Sequence, residues 1–263
     1  MDRERVAPET GDEPAKKKWP AWVFLFVLLI LIAALVAVYW FLFRVKTVET
    51  VPSAHYSAEE IVEAAAIPDG IHLYSFSSRD VEKRIKSRCP YVRSIEITRT
   101  VPDTISIRVT EDAAVFSTTI FSETWALSAD LRPLERITDA DAAGGDLLLL
   151  RLPEVAVAVA GEPIEFVKGE GAAYVYDVLA AVSASGLFSR LDRVDLADRS
   201  ALVMIADGLY RLEFGSVADC AVKLQIAEAV LRDELFDNGT RARLDLSKTS
   251  ETSVIVDPQI SLD

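Results

Sequence analysis

Histidine and cysteine are scarce in this chain of 263 residues, with two of each. His55 and His72 are isolated from one another, and neither a His-x-x-x-His nor a Cys-x-x-Cys spacing occurs, so no metal site is expected. A serine hydrolase would need a histidine base beside its nucleophile, and no Gly-x-Ser-x-Gly elbow is present. Gly-x-x-x-x-Gly-Lys-Ser/Thr and Gly-x-Gly-x-x-Gly are missing too, and Gly169-Glu-Gly171 is too short to cradle a phosphate, so no cofactor is expected. Basic residues are in deficit, with 28 Lys and Arg against 41 Asp and Glu and a net charge of −13. Residues 1–20 hold five of each sign, so the whole imbalance falls on the remainder. Such a surface repels phosphate backbones and anionic lipid headgroups, and nucleic acid is disfavoured as a partner.

Charge, glycine and proline are also absent from one long stretch. Every residue from Ala21 to Phe43 is apolar or aromatic, and these 23 residues would make a helix of about 34 Å, enough for a hydrocarbon layer of about 30 Å. A cleaved signal has a shorter apolar region and a small-x-small site, and no Ala-x-Ala lies in or beside this run, so it reads as a retained single-pass anchor. Trp19, Trp22, Tyr39 and Trp40 stand near its ends, where amphipathic rings prefer the headgroup zone. Lys16, Lys17 and Lys18 precede it against Arg44 and Lys46 after it, a small margin, and the shortness of the N-terminal segment beside the long remainder completes the expected orientation, N-terminus in the cytoplasm and remainder outside. Without this run the chain is about 46% apolar, an ordinary globular fraction.

The predicted organisation is a disordered cytoplasmic tail at 1–20, a transmembrane helix at 21–43, a small domain at 44–112, a larger β domain at 113–257 and a short tail at 258–263. Residues 44–51 alternate as a strand stopped by Pro52. Ser57-Ala-Glu-Glu60 and Ser77-Ser-Arg-Asp80 have capping-box spacing and open two helices, with apolar stripes at Ile61, Val62, Ala65 and Ala66 and at Val81 and Ile85. Residues 91–100 and the alternating Ile105, Ile107 and Val109 read as two more strands around the turn Val101-Pro-Asp103. This order makes a β-α-α-β-β unit with two helices on one face of a three-stranded sheet, and the fold class is α+β.

In the larger domain, strands are expected at 115–120, 124–127 and 147–150, with a loop over 139–146. Tyr174, Val178, Leu179 and Val182 give a helix closed by Gly186. Strands 201–205 and 209–214 flank the hairpin signal Asp207-Gly208. Ser216-Val-Ala-Asp219 has capping-box spacing for a helix with Val222, Ile226, Ala229 and Val230 as its stripe, running to about Phe236 and released by Asn238-Gly239. Strands 241–246 and 253–256 close the domain, which is thus a mixed β domain with two helices. Cys89 and Cys220 fall in different domains, and a disulfide between them would require close Cα approach.

The anchor followed by Val45, Val48, Ser57–Glu60, Gly70, Leu73, Val81, Ile85, Pro90-Tyr-Val92 and Arg99-x-x-Pro102-x-Thr104-Ile105-x-Ile107-x-Val109-x-Glu111 resembles the FtsQ/DivIB bacterial cell-division proteins, whose first extracytoplasmic unit is a POTRA domain. Leu152-Pro153, Phe214-Gly215, Lys223-Leu224 and Leu244-Asp245-Leu246 are similar to the family's β domain. The chain departs from the family's pattern at Pro52-Ser53 and at Glu111-Asp-Ala-Ala114. The resemblance implies a non-enzymatic divisome scaffold in the inner membrane at the septum. It would hold FtsL-like and FtsB/DivIC-like coiled-coil proteins, act with the septal peptidoglycan synthase and help control peptidoglycan synthesis. Ser253-Val-Ile-Val256 has high strand propensity without charge or proline, so a partner strand could add at this edge. The expected partner-binding residues are Lys248, Ser250, Ser253, Val254, Ile255 and Val256. Two alternatives are a membrane-anchored cell-wall hydrolase using a carboxylate pair and another POTRA-type polypeptide-binding membrane protein.

Overall fold

The computed structural model describes residues 20–138, 146–232, 241–248, 251–256 and 261. Helix α1, Ala21–Leu42, is apolar on all sides and exposed along its length, as a helix solvated by lipid would be. Three strands follow in the order β1-β3-β2, namely β1 (Thr47–Thr50), β2 (Val92–Thr100) and β3 (Thr104–Glu111), with β1 parallel and β2 antiparallel to β3. Helices α2 (Ala58–Ala65) and α3 (Ser78–Arg88) cover this sheet through Ile61, Ala64, Ala65, Val81 and Ile85, which join Ile105 and Ile107 in one core.

The two helix starts differ. Ser57 and Glu60 form a complete capping box, the Glu60 amide donating to Ser57 Oγ at 3.2 Å and the Ser57 amide to Glu60 Oε2 at 2.7 Å. Ser77 occupies the N-cap of α3 without a side-chain hydrogen bond, so spacing alone overstated that box.

The second sheet has nine strands. They are β4 (Ala114–Ile120), β5 (Glu123–Ser128), β6 (Pro133–Arg136), β7 (Leu148–Arg151), β10 (Leu191–Asp195), β11 (Leu202–Ala206), β12 (Tyr210–Gly215), β13 (Ala242–Lys248) and β14 (Glu251–Val256). Their order across the sheet is β14-β13-β12-β11-β10-β7-β4-β5-β6. Strands β8 (Val155–Val157) and β9 (Glu165–Phe166) form a separate two-stranded pair. Helices α4 (Tyr174–Ala184) and α5 (Cys220–Leu231) pack on one face, closing a core that includes Phe116, Leu150, Val194, Met204, Leu212, Phe214 and Leu244.

Four of these strands carried too little pattern to be read. β6, β8 and β9 have two to four residues, and β10 mixes Asp192, Arg193 and Asp195 with its two buried residues, Leu191 and Val194. Gly186 lies outside the positive-φ glycines, and the C-cap of α4 is the extended Ser185. Helix α5 begins at Cys220, because Asp219 takes φ 56° and Ser216 Oγ accepts from the Ala218 amide, a local turn that replaces the expected box. Its buried face is Cys220, Lys223, Leu224, Ala227 and Leu231, leaving Val222 and Ala229 exposed. A lysine in the inward stripe hid that register from a count of apolar residues. The hairpin Asp207-Gly208 has both residues at positive φ, as expected. The expected features at residues 139–145, Phe236, Asn238-Gly239 and the terminal tails lie outside the described residues, apart from Pro20 and Ser261.

Candidate docking edge of the large sheet

Strand β14 is terminal in the sheet, with β13 as its one neighbour among the described residues. Its register is antiparallel: Ala242 faces Val256, Arg243 faces Ile255, Leu244 faces Val254 and Asp245 faces Ser253. Followed across the strands, the pairings define continuous rows. Leu150, Val194, Met204, Leu212, Leu244 and Val254 form one, and Leu191, Ala206, Tyr210, Ala242 and Val256 form another. All members of both rows are buried except the last, with Val254 42% and Val256 61% exposed. The helix-covered core therefore runs out one strand short of the edge.

On the opposite face a third row reads Leu149, Arg193, Ile205, Arg211, Arg243 and Ile255, and Ile255 is 52% exposed. The edge thus presents apolar side chains on both faces, together with a strand whose outer backbone groups have no strand neighbour among the described residues. Single exposed apolar residues are ordinary, but three in a row on an edge strand are an aggregation hazard unless something covers them.

The surroundings are charged and ordered. Glu213 bonds Arg211 Nε at 3.1 Å and also pairs with Arg243, while Arg151 reaches Asp195 at 3.3 Å. Asp245 is held below the usual carboxylate range, chiefly by hydrogen bonding to the Ser247 side chain and then to its amide, which donates at 2.9 Å. That turn sits where the β13–β14 register shifts between Asp245 and Lys248. Gly215, at φ 64°, ends β12 against the same turn, where an added Cβ would lie 3.2 Å from Ser247 Cβ. Lys223 is 3% exposed, and its Nζ donates to the carbonyls of Phe214 and Ser216, each at 2.8 Å, fixing the strand-to-helix connection behind the edge.

The structure brings Ser253, Val254, Ile255 and Val256 together as an exposed strand and sets Lys248 at the exposed end of β13. Ser250 lies outside the described residues. The sequence reading missed the third row, in which Arg211 and Arg243 come from adjacent strands and Arg193 lies beyond Ile205 from them, an arrangement set by register alone. Among the described residues no group of three or more His, Cys, Asp or Glu could hold a metal ion. Cys89 and Cys220 are both buried free thiols, and burial pushes Cys220 up to about 11.

Comparison with known proteins bears on this geometry. Residues 43–112 match the family model for the FtsQ-type POTRA domain. Over a longer stretch the chain is 26% identical to the cell division protein FtsQ of Streptomyces griseus, covering 72% of this chain and 88% of that one. It is 37% identical to FtsQ of Streptomyces bingchenggensis over 26% of each chain, and 31% identical to FtsQ of Myxococcus fulvus over 36% of this chain and 32% of that one. The chain thus spans about a quarter to a third of the length of several of these curated relatives and most of the S. griseus protein.

Proposed function

We propose that the chain is a member of the FtsQ family and a non-enzymatic, single-pass membrane scaffold of the bacterial division machinery, a reading supported by its FtsQ-type POTRA match and by its likeness to the S. griseus protein over most of that protein's length. Helix α1 anchors it in the cytoplasmic membrane with the N-terminus inside, and both sheets stand outside at the septum. There it holds FtsL-like and FtsB/DivIC-like coiled-coil proteins, acts with the septal peptidoglycan synthase and helps control septal peptidoglycan synthesis. The observation that carries the docking mode is the pair of buried core rows ending in exposed Val254 and Val256. A partner strand laid beside β14 would satisfy its outer amides and carbonyls and extend both rows by one covered position.

Replacing Val254 by Pro and Val256 by Lys removes a ladder donor and charges the edge. Pull-down of the FtsB/DivIC-like partner from the membrane fraction should then be lost while the thermal transition of the variant persists. Undiminished capture by a folded variant would sink docking at this edge. A fluorescent fusion should gather as a ring at midcell, and a uniform envelope signal would count against septal placement.

A further inference from the structure

The passage from α1 into the first domain contains no linker. Helix α1 ends at Leu42, the Phe43 amide still bonds Tyr39 O at 3.1 Å, and Val45 is already buried in the domain core. The chain from Phe43 to Val45 runs against residues 70–73. The Leu73 amide donates to Phe43 O and the Val45 amide to Ile71 O, both at 2.8 Å, the Gly70 amide donates to Val45 O at 3.1 Å, and Arg44 and His72 form an antiparallel bridge.

Side chains lock the same joint. The His72 ring lies among those of Tyr39, Trp40, Phe43 and Tyr74, with centroid separations of 4.9, 5.0, 6.4 and 6.1 Å. Its Nδ1 accepts from the Tyr74 amide at 3.4 Å, which assigns the ring proton to Nε2, and buried Nε2 has no hydrogen-bond partner among the described residues. Arg99 holds the loop from the inner side, donating to Leu73 O at 3.0 Å and Phe76 O at 3.2 Å, with its guanidinium 4.7 Å from the Phe76 ring centroid.

A rigid joint fixes depth. Twenty-two residues of helix give about 33 Å, so when α1 crosses a layer of about 30 Å its end, and the loop bonded to it, arrive in the headgroup zone. The groups there suit that zone. Trp40 and Tyr74 are exposed amphipathic rings, Tyr74 at 53%, and both lie against the His72 ring at the end of the exposed apolar span. Arg44 is exposed and has no ion-pair partner among the described residues, whereas nearby Lys46 is engaged by Asp103 at 3.0 Å. In an antiparallel bridge the paired side chains share a face, which puts Arg44 on the side of the His72 ring cluster.

We infer that residues 70–76 and the last turn of α1 form a phospholipid-binding collar, in which Tyr74 and Trp40 lie among the headgroups and the Arg44 guanidinium binds lipid phosphate. The collar sets the tilt and height of the first domain on the outer leaflet. The inference rests on reading α1 as the membrane span.

The test is depth measurement by spin labelling of the full chain in phosphatidylglycerol–phosphatidylethanolamine nanodiscs, with single labels introduced by Val36→Cys in the span, Tyr74→Cys in the collar and Val222→Cys on the outer face of α5. The buried Cys89 and Cys220 stay unlabelled without denaturant. The expected result is collision with oxygen at Val36, aqueous accessibility at Val222, and an interfacial value at Tyr74, several-fold less accessible to a water-soluble nickel chelate than Val222. A Tyr74 label as accessible as the Val222 label, with Val36 in lipid, would overturn the collar and leave the span intact. Aqueous values at Val36 as well would overturn both. Adding Arg44→Glu should move the Tyr74 label toward water, and an unchanged depth would overturn the phosphate contact.

Discussion

At the scale of single residues, a few polar groups fix connections that apolar packing alone leaves open. Lys223 lies in the inward stripe of α5 and ends on the Phe214 and Ser216 carbonyls. Lys223→Met keeps the aliphatic stem but leaves two carbonyls without their donor, so we expect a loss of about 1–3 kcal/mol in urea unfolding. A neutral result would show that water replaces the ammonium. Glu111 illustrates opposed influences. Burial alone would raise its pKa, but hydrogen bonds from Ser53 and His55 outweigh it and hold the carboxyl lower. His55 Nδ1 lies 2.8 Å from Glu111 Oε2. A depressed carboxyl contributes stability that is present above its unfolded-state pKa and lost as pH falls through the folded value. The melting temperature of Glu111→Gln should therefore fall below that of the parent chain at neutral pH and converge with it as the solution is acidified below the ordinary glutamate range. A gap independent of pH would assign the loss to packing instead.

At the scale of elements, helix starts separate what spacing can tell from what it cannot. Ser57, Ser77 and Ser216 each precede an acidic residue by three positions, and in one case both reciprocal bonds form. Ser57→Ala should cost about 1 kcal/mol, whereas Ser77→Ala, which removes no cap bond, should fall well short of that. Equal losses in chemical denaturation would refute the distinction. The first domain was legible nearly element by element because its strands alternate and its helices bury Ile61 and Ala65 and Val81 and Ile85, although Val62 of the expected first stripe is half-buried, Ala66 is exposed at the C-cap and Ala64 is buried instead. The second was less so, since β6, β8 and β9 are too short to show a period and Lys223 interrupts the stripe that would have set the register of α5. Strand β14 was readable for the complementary reason. Val254-Ile-Val256 is a compact strand signal, but that it ends two buried rows and neighbours Arg243 follows from pairing over six strands, which no local pattern encodes.

At the scale of the whole molecule, the proposed scaffold depends on stiff joints in series. The first is the collar of α1. The second lies where β3 leads into β4, at Asp112. Asp112 there is nearly buried and takes hydrogen bonds from Arg132 and, at 3.2 Å, from Arg93, which also reaches Asp130 at 3.1 Å. Tyr91 of the first domain donates to Glu135 of β6 at 2.7 Å, and burial followed by this bond raises its pKa, keeping the phenol a donor. Gly161, at φ 82°, comes so close that an added Cβ would lie 3.2 Å from Lys86 O at the end of α3. These contacts hold the β6 side of the large sheet, while the terminal strand β14 lies eight strand spacings away, about 38 Å at about 4.8 Å per spacing. Over that lever a small rotation at Asp112 displaces the edge by many ångströms. Asp112→Ala strands the Arg132 guanidinium in a nearly buried place with a long contact of 3.4 Å to Gly161 O, and breaking such a pair from one side costs about 3–5 kcal/mol. The joint should open before either core melts, so calorimetry of the variant should resolve two transitions where the parent chain shows one. Distances between spin labels at Glu96 and Val222 should broaden in parallel, and a single transition with an unchanged distance distribution would show that Tyr91 and Gly161 hold the domains without Asp112.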